Sequence, residues 1–248
     1  KVSDKKRRGS EVGYLQAVTL TFTILGPIGG ALILYYFNYS ILFITACVLL
    51  IISVIPLFFS SEVNDPYRFK LKHFLDKKNW RYATIFFGEG MRIFSTRVLW
   101  PLFIFINLKT YVSLGSISSV ANLLIAVTTI WIGRISDKVN KNPMVSFGSL
   151  FHGISLFIRG FLESIINIFS VTMFGALSFA LMHVPYMTIF YNKANKKGIV
   201  EFILLREVFA KLGFIFVITV IIIFQANIVL GLILGGIGSI GYRFLRDE

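Results

Sequence analysis

Residues 113–160 read SLGSISSVANLLIAVTTIWIGRISDKVNKNPMVSFGSLFHGISLFIRG. Two apolar runs of roughly twenty residues flank a short basic turn. At ~1.5 Å per helical residue, each run reaches across a hydrocarbon core of ~30 Å. The unit repeats in both directions along the chain, which predicts helical spans at 14–37, 40–60, 82–107, 113–133, 143–160, 165–191, 200–224 and 226–244. Eight spans return the chain to the side on which it began. Lys and Arg at positions 1–8, 68–81, 134–141, 193–197 and 243–246 then share one side, against Lys109 and Arg159 on the other. Basic loops stay on the cytoplasmic face, so both ends of the chain are expected there, in a multi-pass protein of the plasma membrane.

Composition agrees with an all-α polytopic membrane protein. Hydrophobic residues at 56%, aromatics at 16% and a mean hydropathy of +0.76 exclude an ordinary soluble domain of 248 residues. A net charge of +13 would point a soluble protein toward nucleic acid. Here topology accounts for the excess, and the bilayer, not nucleic acid, is the expected partner. Trp80, Tyr82, Trp131, Tyr191 and Tyr242 fall near one set of span ends, and Tyr35, Tyr36, Tyr39 and Tyr111 near the other. These are the levels at which aromatic rings meet headgroups. Cys47 is the single cysteine and lies within an apolar span, so neither a disulfide within the chain nor a thiolate metal site is expected. No cofactor or metal is implied.

The opening KVSDKKRRGSEVG reads as a cytoplasmic loop leading directly into a helix, without a cleavable signal, so an upstream part is expected to be missing. The longest polar interval, 61–81, separates two spans from six and is the expected domain boundary. Its Phe69, Leu71, Phe74 and Leu75 among basic residues allow some contact with an anionic leaflet, but a solvated linker with a little surface contact is the expected reading.

Two motifs carry a resemblance to a known family. GRISDKVNKN at Gly133–Asn142 resembles the loop signature of the major facilitator superfamily: Gly133, Asp137, Lys138 and Lys141 match. Asn140 stands where that signature has its second Gly, as the next best residue for a left-handed turn, and Asn142 replaces a basic residue. Gly133 would permit a close helix exit, and Asp137 would face the exposed N–H groups at a helix start near 9–11. Separately, Gly13, Gly26, Pro27 and Gly30 are similar to the family's fifth-helix motif, with Phe22 and Ala31 where it has further glycines. Gly26, Gly29 and Gly30 are also explained by tight helix contact alone.

The resemblance implies one template for nearly the whole chain. Residues 1–60 would be the last two helices of an N-terminal bundle, 61–81 the central cytoplasmic linker, and 82–248 a six-helix C-terminal bundle. The chain would thus cover the family's helices five to twelve as a partial bundle of eight transmembrane helices, with the earlier helices of the same protein missing. The implied activity is secondary active transport of a small solute by alternating access, with proton coupling open.

Charges inside the spans supply the candidate coupling or substrate residues. Glu89, Arg92 and Arg97 lie in the third span, and Arg206, Glu207 and Lys211 in the seventh. Each mid-membrane charge costs about 2.5–3.5 kcal/mol on insertion scales, so these groups are expected to meet one another or a hydrated cavity. Glu89 and Arg92 share a helix face, as do Glu207 and Lys211. Adjacency of the two helices in the family would let Glu89 meet Arg206 or Lys211, and Arg92 meet Glu207. A purely structural ion-pair network is the other reading. Glu89 and Glu207 are the candidate proton carriers, with Glu89 the deeper. His183 could line a cavity or simply be buried between helices. His-Glu-x-x-His, Gly-x-Ser-x-Gly and paired aspartates are absent, which argues against an intramembrane enzyme. A filter loop is absent too, which argues against a channel. A vestigial, non-transporting membrane protein stays open.

Overall fold

Glycine and alanine set the helix spacings of this molecule. The computed structural model describes residues 8–59, 79–136, 139–225 and 227–245, and among them every regular element is helical. The helices are α1 (Arg8–Tyr36), α2 (Tyr39–Phe58), α3 (Trp80–Leu108), α4 (Tyr111–Ser136), α5 (Lys141–Arg159), α6 (Ile165–Lys197), α7 (Ile199–Ile223) and α8 (Ile228–Ile240). A 3₁₀ turn, Gly241–Phe244, follows α8. The eight expected spans correspond to these eight helices, with ends shifted by a few residues. The largest shifts are six residues each, at the start of α1 and at the end of α6, which runs on through Lys193, Lys196 and Lys197 beyond its apolar part. Helices α2, α3, α4 and α6 are long and apolar enough to cross a membrane, and α1 and α8 contain shorter apolar stretches. At 25 residues α7 is long enough too, but it carries Glu201, Arg206, Glu207 and Lys211.

Two compact units divide the described residues. The first holds α1, α2 and the beginning of α4, up to Ser119. Within it Gly115 lies against the backbone of Pro27 and Ile28 and the methyl of Ala31, so a Cβ at Gly115 has no room. Ser119 Oγ donates to the Ile24 carbonyl at 2.6 Å, and the hydroxyls of Tyr39 and Tyr111 are 2.9 Å apart. Of the fifth-helix motif, Gly26 has nothing within 4 Å of a built Cβ, and Gly30 only Leu42 Cδ1 at 3.7 Å. Tight packing at these two glycines is therefore not the reason for them within this unit.

The second unit holds α3, the rest of α4 and α5 to α8. Helix α3 packs against α7 and α8, and α5 packs against α6 and α8. Gly90 lies on the backbone of Ala210, Gly213 on that of Phe87, and Gly88 and Gly238 on each other. In lipid, close packing of small residues replaces the hydrophobic drive of water. Aromatic and aliphatic groups fill the remaining volume: Phe86, Phe190, Phe202 and Leu205 form one cluster, and Ile85, Met182, Tyr186, Ile189 and Tyr242 another.

Helix α3 is interrupted by a π-helical turn at Ser95–Leu99, just before Pro101. Proline cannot donate to the residue four back, and the widened turn absorbs the misfit. Ser95 Oγ uses the site to donate to the Gly231 carbonyl of α8 at 2.6 Å. At the start of α5, Asn140 is extended (φ −63°, ψ 124°) and accepts from the Asn142 N–H at 3.0 Å, so it acts as an N-cap. This corrects the left-handed turn expected there; an amide oxygen that caps a helix start stabilises it more than a left-handed turn would. Gly133 is inside α4 with nothing within 4 Å of a built Cβ, so no close helix exit is seen at this position. Asp137, Lys138 and the linker expected at 61–81 lie outside the described residues, apart from the last three linker positions.

Backbone contact at Gly90 and open space at Gly26 predict opposite responses to one added methyl. Gly90→Ala should cost at least about 1–3 kcal/mol as forced overpacking. Gly26→Ala should be neutral or stabilise by roughly 0.5–1 kcal/mol through helix propensity. Thermal unfolding of the two variants in one detergent checks the contrast, and equal midpoints would contradict the α3–α7 contact.

Candidate functional site

Close approach of α3, α6, α7 and the turn after α8 brings charged and aromatic side chains together in the second unit. Glu89 and Arg92, three residues apart, point from one face of α3. Phe179, His183, Tyr186 and Phe190 follow on α6 at spacings of about one turn, and so line one face. Arg206 comes from α7, one turn after Phe202. Tyr242 comes from the 3₁₀ turn.

Glu89 is 1% exposed, and its carboxylate receives three donors. Arg206 Nε donates to Oε2 at 2.9 Å and Nη2 to Oε1 at 2.5 Å, a bidentate pair. Tyr186 donates its hydroxyl to Oε2 at 2.7 Å. Charge-assisted, two-pronged bonds of this kind are the strong ones, and they offset the desolvation of both charges. The Arg206 guanidinium also lies 5.2 Å from the centre of the Phe190 ring, and Nη1 is 3.5 Å from Glu207 of its own helix.

Arg92 is treated differently. It is 5% exposed, and its Nε donates to the Tyr242 hydroxyl at 3.0 Å. Its guanidinium lies 5.2 Å from the centre of the Phe179 ring and 5.4 Å from that of Tyr242. Ring quadrupoles attract a desolvated cation, so two faces and a hydroxyl take the place of a carboxylate. His183 stacks on Phe179 at 4.7 Å, and its buried Nδ1 has no hydrogen-bond partner among the described residues.

The structure therefore joins Glu89, Arg92, Arg206 and His183 in one cluster, with Glu207 at its edge through Arg206. It corrects the expected Arg92–Glu207 meeting: Tyr242 is the partner of Arg92, and Glu207 is exposed on α7. Arg97 and Lys211 are exposed and make no ion pair among the described residues. Tyr242 itself is fully buried, whereas its position near a chain end suggested a headgroup-level ring. Its signal, and that of Tyr186, was their register with the charges, which only the packing reveals.

Another buried cation was missed. Arg159 is 4% exposed at the end of α5, with its guanidinium 4.6 Å from the Trp100 ring centre and against Gly175 of α6. A Cβ at Gly175 would meet that guanidinium, so the glycine makes room for it. Among the described residues no group of three His, Cys, Asp or Glu side chains is placed to hold a metal.

Pairing of Glu89 with Arg206 predicts strong coupling in a double-mutant cycle. Removing one partner of a buried pair costs about 3–5 kcal/mol, and partial exposure of Arg206 places this pair at the low end. Arg206→Met should therefore destabilise strongly, and Glu89→Gln combined with Arg206→Met should recover a large part of the loss. Additive losses in detergent unfolding would show that the two side chains act independently.

Comparison with known proteins adds the lineage. A family model described as Major Facilitator Superfamily matches residues 1–216. The chain is similar to the uncharacterized protein YqgE of Bacillus subtilis (strain 168), with 24% identity over 256 residues. That alignment covers 95% of this chain and 60% of the relative, so the chain spans 60% of the length of the protein it matches. No solved structure matches. The family match over most of the chain, with which the all-helical architecture agrees, carries one conclusion: the chain belongs to the Major Facilitator Superfamily.

Proposed function

We propose that the protein containing this chain is a secondary transporter that moves a small solute by alternating access, with Glu89 as a proton-coupling residue. Membership of a superfamily of membrane transporters supports the general reading. The observation that carries the coupling role is the bidentate Glu89–Arg206 pair bridging α3 and α7, buried on the Glu89 side. A costly intramembrane carboxylate stands where a small apolar residue would pack at lower cost, and such groups mark pathways and relays.

The proposed mechanism follows from the donors. While ionised, Glu89 holds Arg206 through two bonds and so ties α7 to α3. A proton on the carboxyl removes one acceptor oxygen and the ion-pair attraction. Arg206 then turns toward Glu207, which its Nη1 already approaches. Release of α7 from α3 is a local event able to bias two packed arrangements of a bundle. The remaining charged and titratable neighbours, Arg92, His183, Tyr186 and Tyr242, set the field around that carboxyl. In the proposed organisation, residues 1–60 belong to one rocking bundle and 82–248 to the other, with both chain ends cytoplasmic.

The test does not need the solute. Spin labels placed on the two bundles of the full-length protein report inward- and outward-open populations by their distance distributions. Changing pH should shift the wild-type populations, and Glu89→Gln should hold them fixed at the low-pH distribution. A normal pH shift in that variant would move the coupling role to another residue, Glu207 being next. A wild-type protein with one pH-independent distribution would remove proton coupling from the proposal.

A further inference from the structure

We propose that Arg159 and Trp100 form a buried binding site for a singly charged carboxylate, the acidic group of the transported solute. Naming the solute rests on the transport reading; the site itself does not. All of its residues belong to the second unit. Arg159 ends α5, and four residues on, in the turn before α6, stands the exposed carboxylate of Glu163. A basic side chain at a helix end ordinarily snorkels outward or pairs with such a neighbour. Arg159 does neither. Helical side chains lean toward the start of their own helix, and its guanidinium lies over the Trp100 ring. Its Nη2 and the Oγ of Ser155, one turn earlier on α5, meet at the same point beside Gly175 of α6.

The occupant has to be an acceptor. A guanidinium carries an N–H donor on every nitrogen, and among the described residues none of those on Arg159 has an acceptor. Trp100 is 4% exposed, and its indole N–H is likewise buried and unused. The ring face offsets part of the buried charge and leaves these donors unfilled, which costs their desolvation. The occupant has also to be negative. Acidic groups elsewhere in the unit are engaged or turned away: Glu89 is held by Arg206 and Tyr186, Glu207 stands beside Arg206, and Glu201 lies against Gly198. Charge and shape then narrow the choice. One guanidinium balances one negative charge, and its planar fork matches the paired oxygens of a carboxylate. A phosphate group near neutral pH brings about −1.5 to −2, more than this site balances.

Thermal unfolding of the full-length protein in detergent reads this binding, with sodium acetate as the probe, exchanged against sodium chloride at constant ionic strength. Acetate is a carboxylate with almost no body, and acetamide matches its shape without the charge. Acetate should raise the wild-type midpoint along a saturating curve, and acetamide and inorganic phosphate should not. General salt effects rise without saturation and are common to all variants. Arg159→Gln should weaken the acetate dissociation constant at least about tenfold, the loss of a charge-assisted bond. Trp100→Phe keeps a ring, removes the N–H, and should weaken it about threefold to tenfold; it decides the matter if Arg159→Gln does not fold. An unmoved wild-type midpoint, or the wild-type constant in either variant, would overturn the proposal. Saturable stabilisation by phosphate equal to that by acetate would overturn it too, assigning the site to a phosphate group. Loss of that effect on adding phosphatidylglycerol would identify a lipid as the source. No readout here uses pH or bundle movement, so failure of this test leaves the Glu89 test standing, and the reverse holds.

Discussion

Glu89 offers two carboxylate oxygens, and Arg206 and Tyr186 meet both of them from two other helices. A buried carboxylate is costly unless its charge is met by donors, so Glu89, at 1% exposure, dictates where its neighbours stand. Arg206 must reach across from α7, which fixes the rotation of that helix about its axis. Tyr186 must face the same way on α6, which puts Phe179, His183 and Phe190 on the same interior face. Arg92, one turn along α3, makes no ion pair among the described residues, and Tyr242 with Phe179 encloses it. The aromatic content of this bundle is thus partly a response to charge.

That arrangement needs helices unusually close together. Gly90 against Ala210 and Gly213 against Phe87 bring α3 and α7 into backbone contact next to the ion pair. A bidentate guanidinium–carboxylate contact tolerates little misplacement, so the glycines control the geometry as much as the charged groups do. The π turn further along α3 adds a second adjustment: it absorbs Pro101 and turns Ser95 toward Gly231 of α8.

Much of this architecture could be read from the chain. A run of about twenty apolar residues has few folded solutions other than a membrane helix, so the eight helices were legible and only their ends moved. The i, i+3 spacing of Glu89 and Arg92 was legible as a shared face. Pairing between helices was legible in type but not in full: Arg206 was a named partner for Glu89, whereas Arg92 was matched to Glu207. That error has a physical origin. Sequence separates charged from apolar residues well, but a tyrosine serves either as a headgroup-level ring or as a buried hydrogen-bond partner. Tyr242 is the latter because the chain turns inward after α8, a turn no composition rule announces. Arg159 illustrates the same limit: by position it looked like a loop charge, and Trp100 and Gly175 of two other helices bury it.

The mutual contact of Gly88 and Gly238 has a consequence for how this chain can diverge. When two side chains collide, shrinking one makes room for the other, and sequence can drift along such exchanges. Here the obstacle to a Cβ at Gly88 is the carbonyl and Cα of Gly238, and the obstacle at Gly238 is the Gly88 carbonyl. Main chain has no smaller version. No substitution elsewhere compensates for a new side chain at either position unless α3 and α8 move apart. The two glycines are therefore bound to this crossing independently of each other, not as a covarying pair, and would leave no covariation between them among relatives.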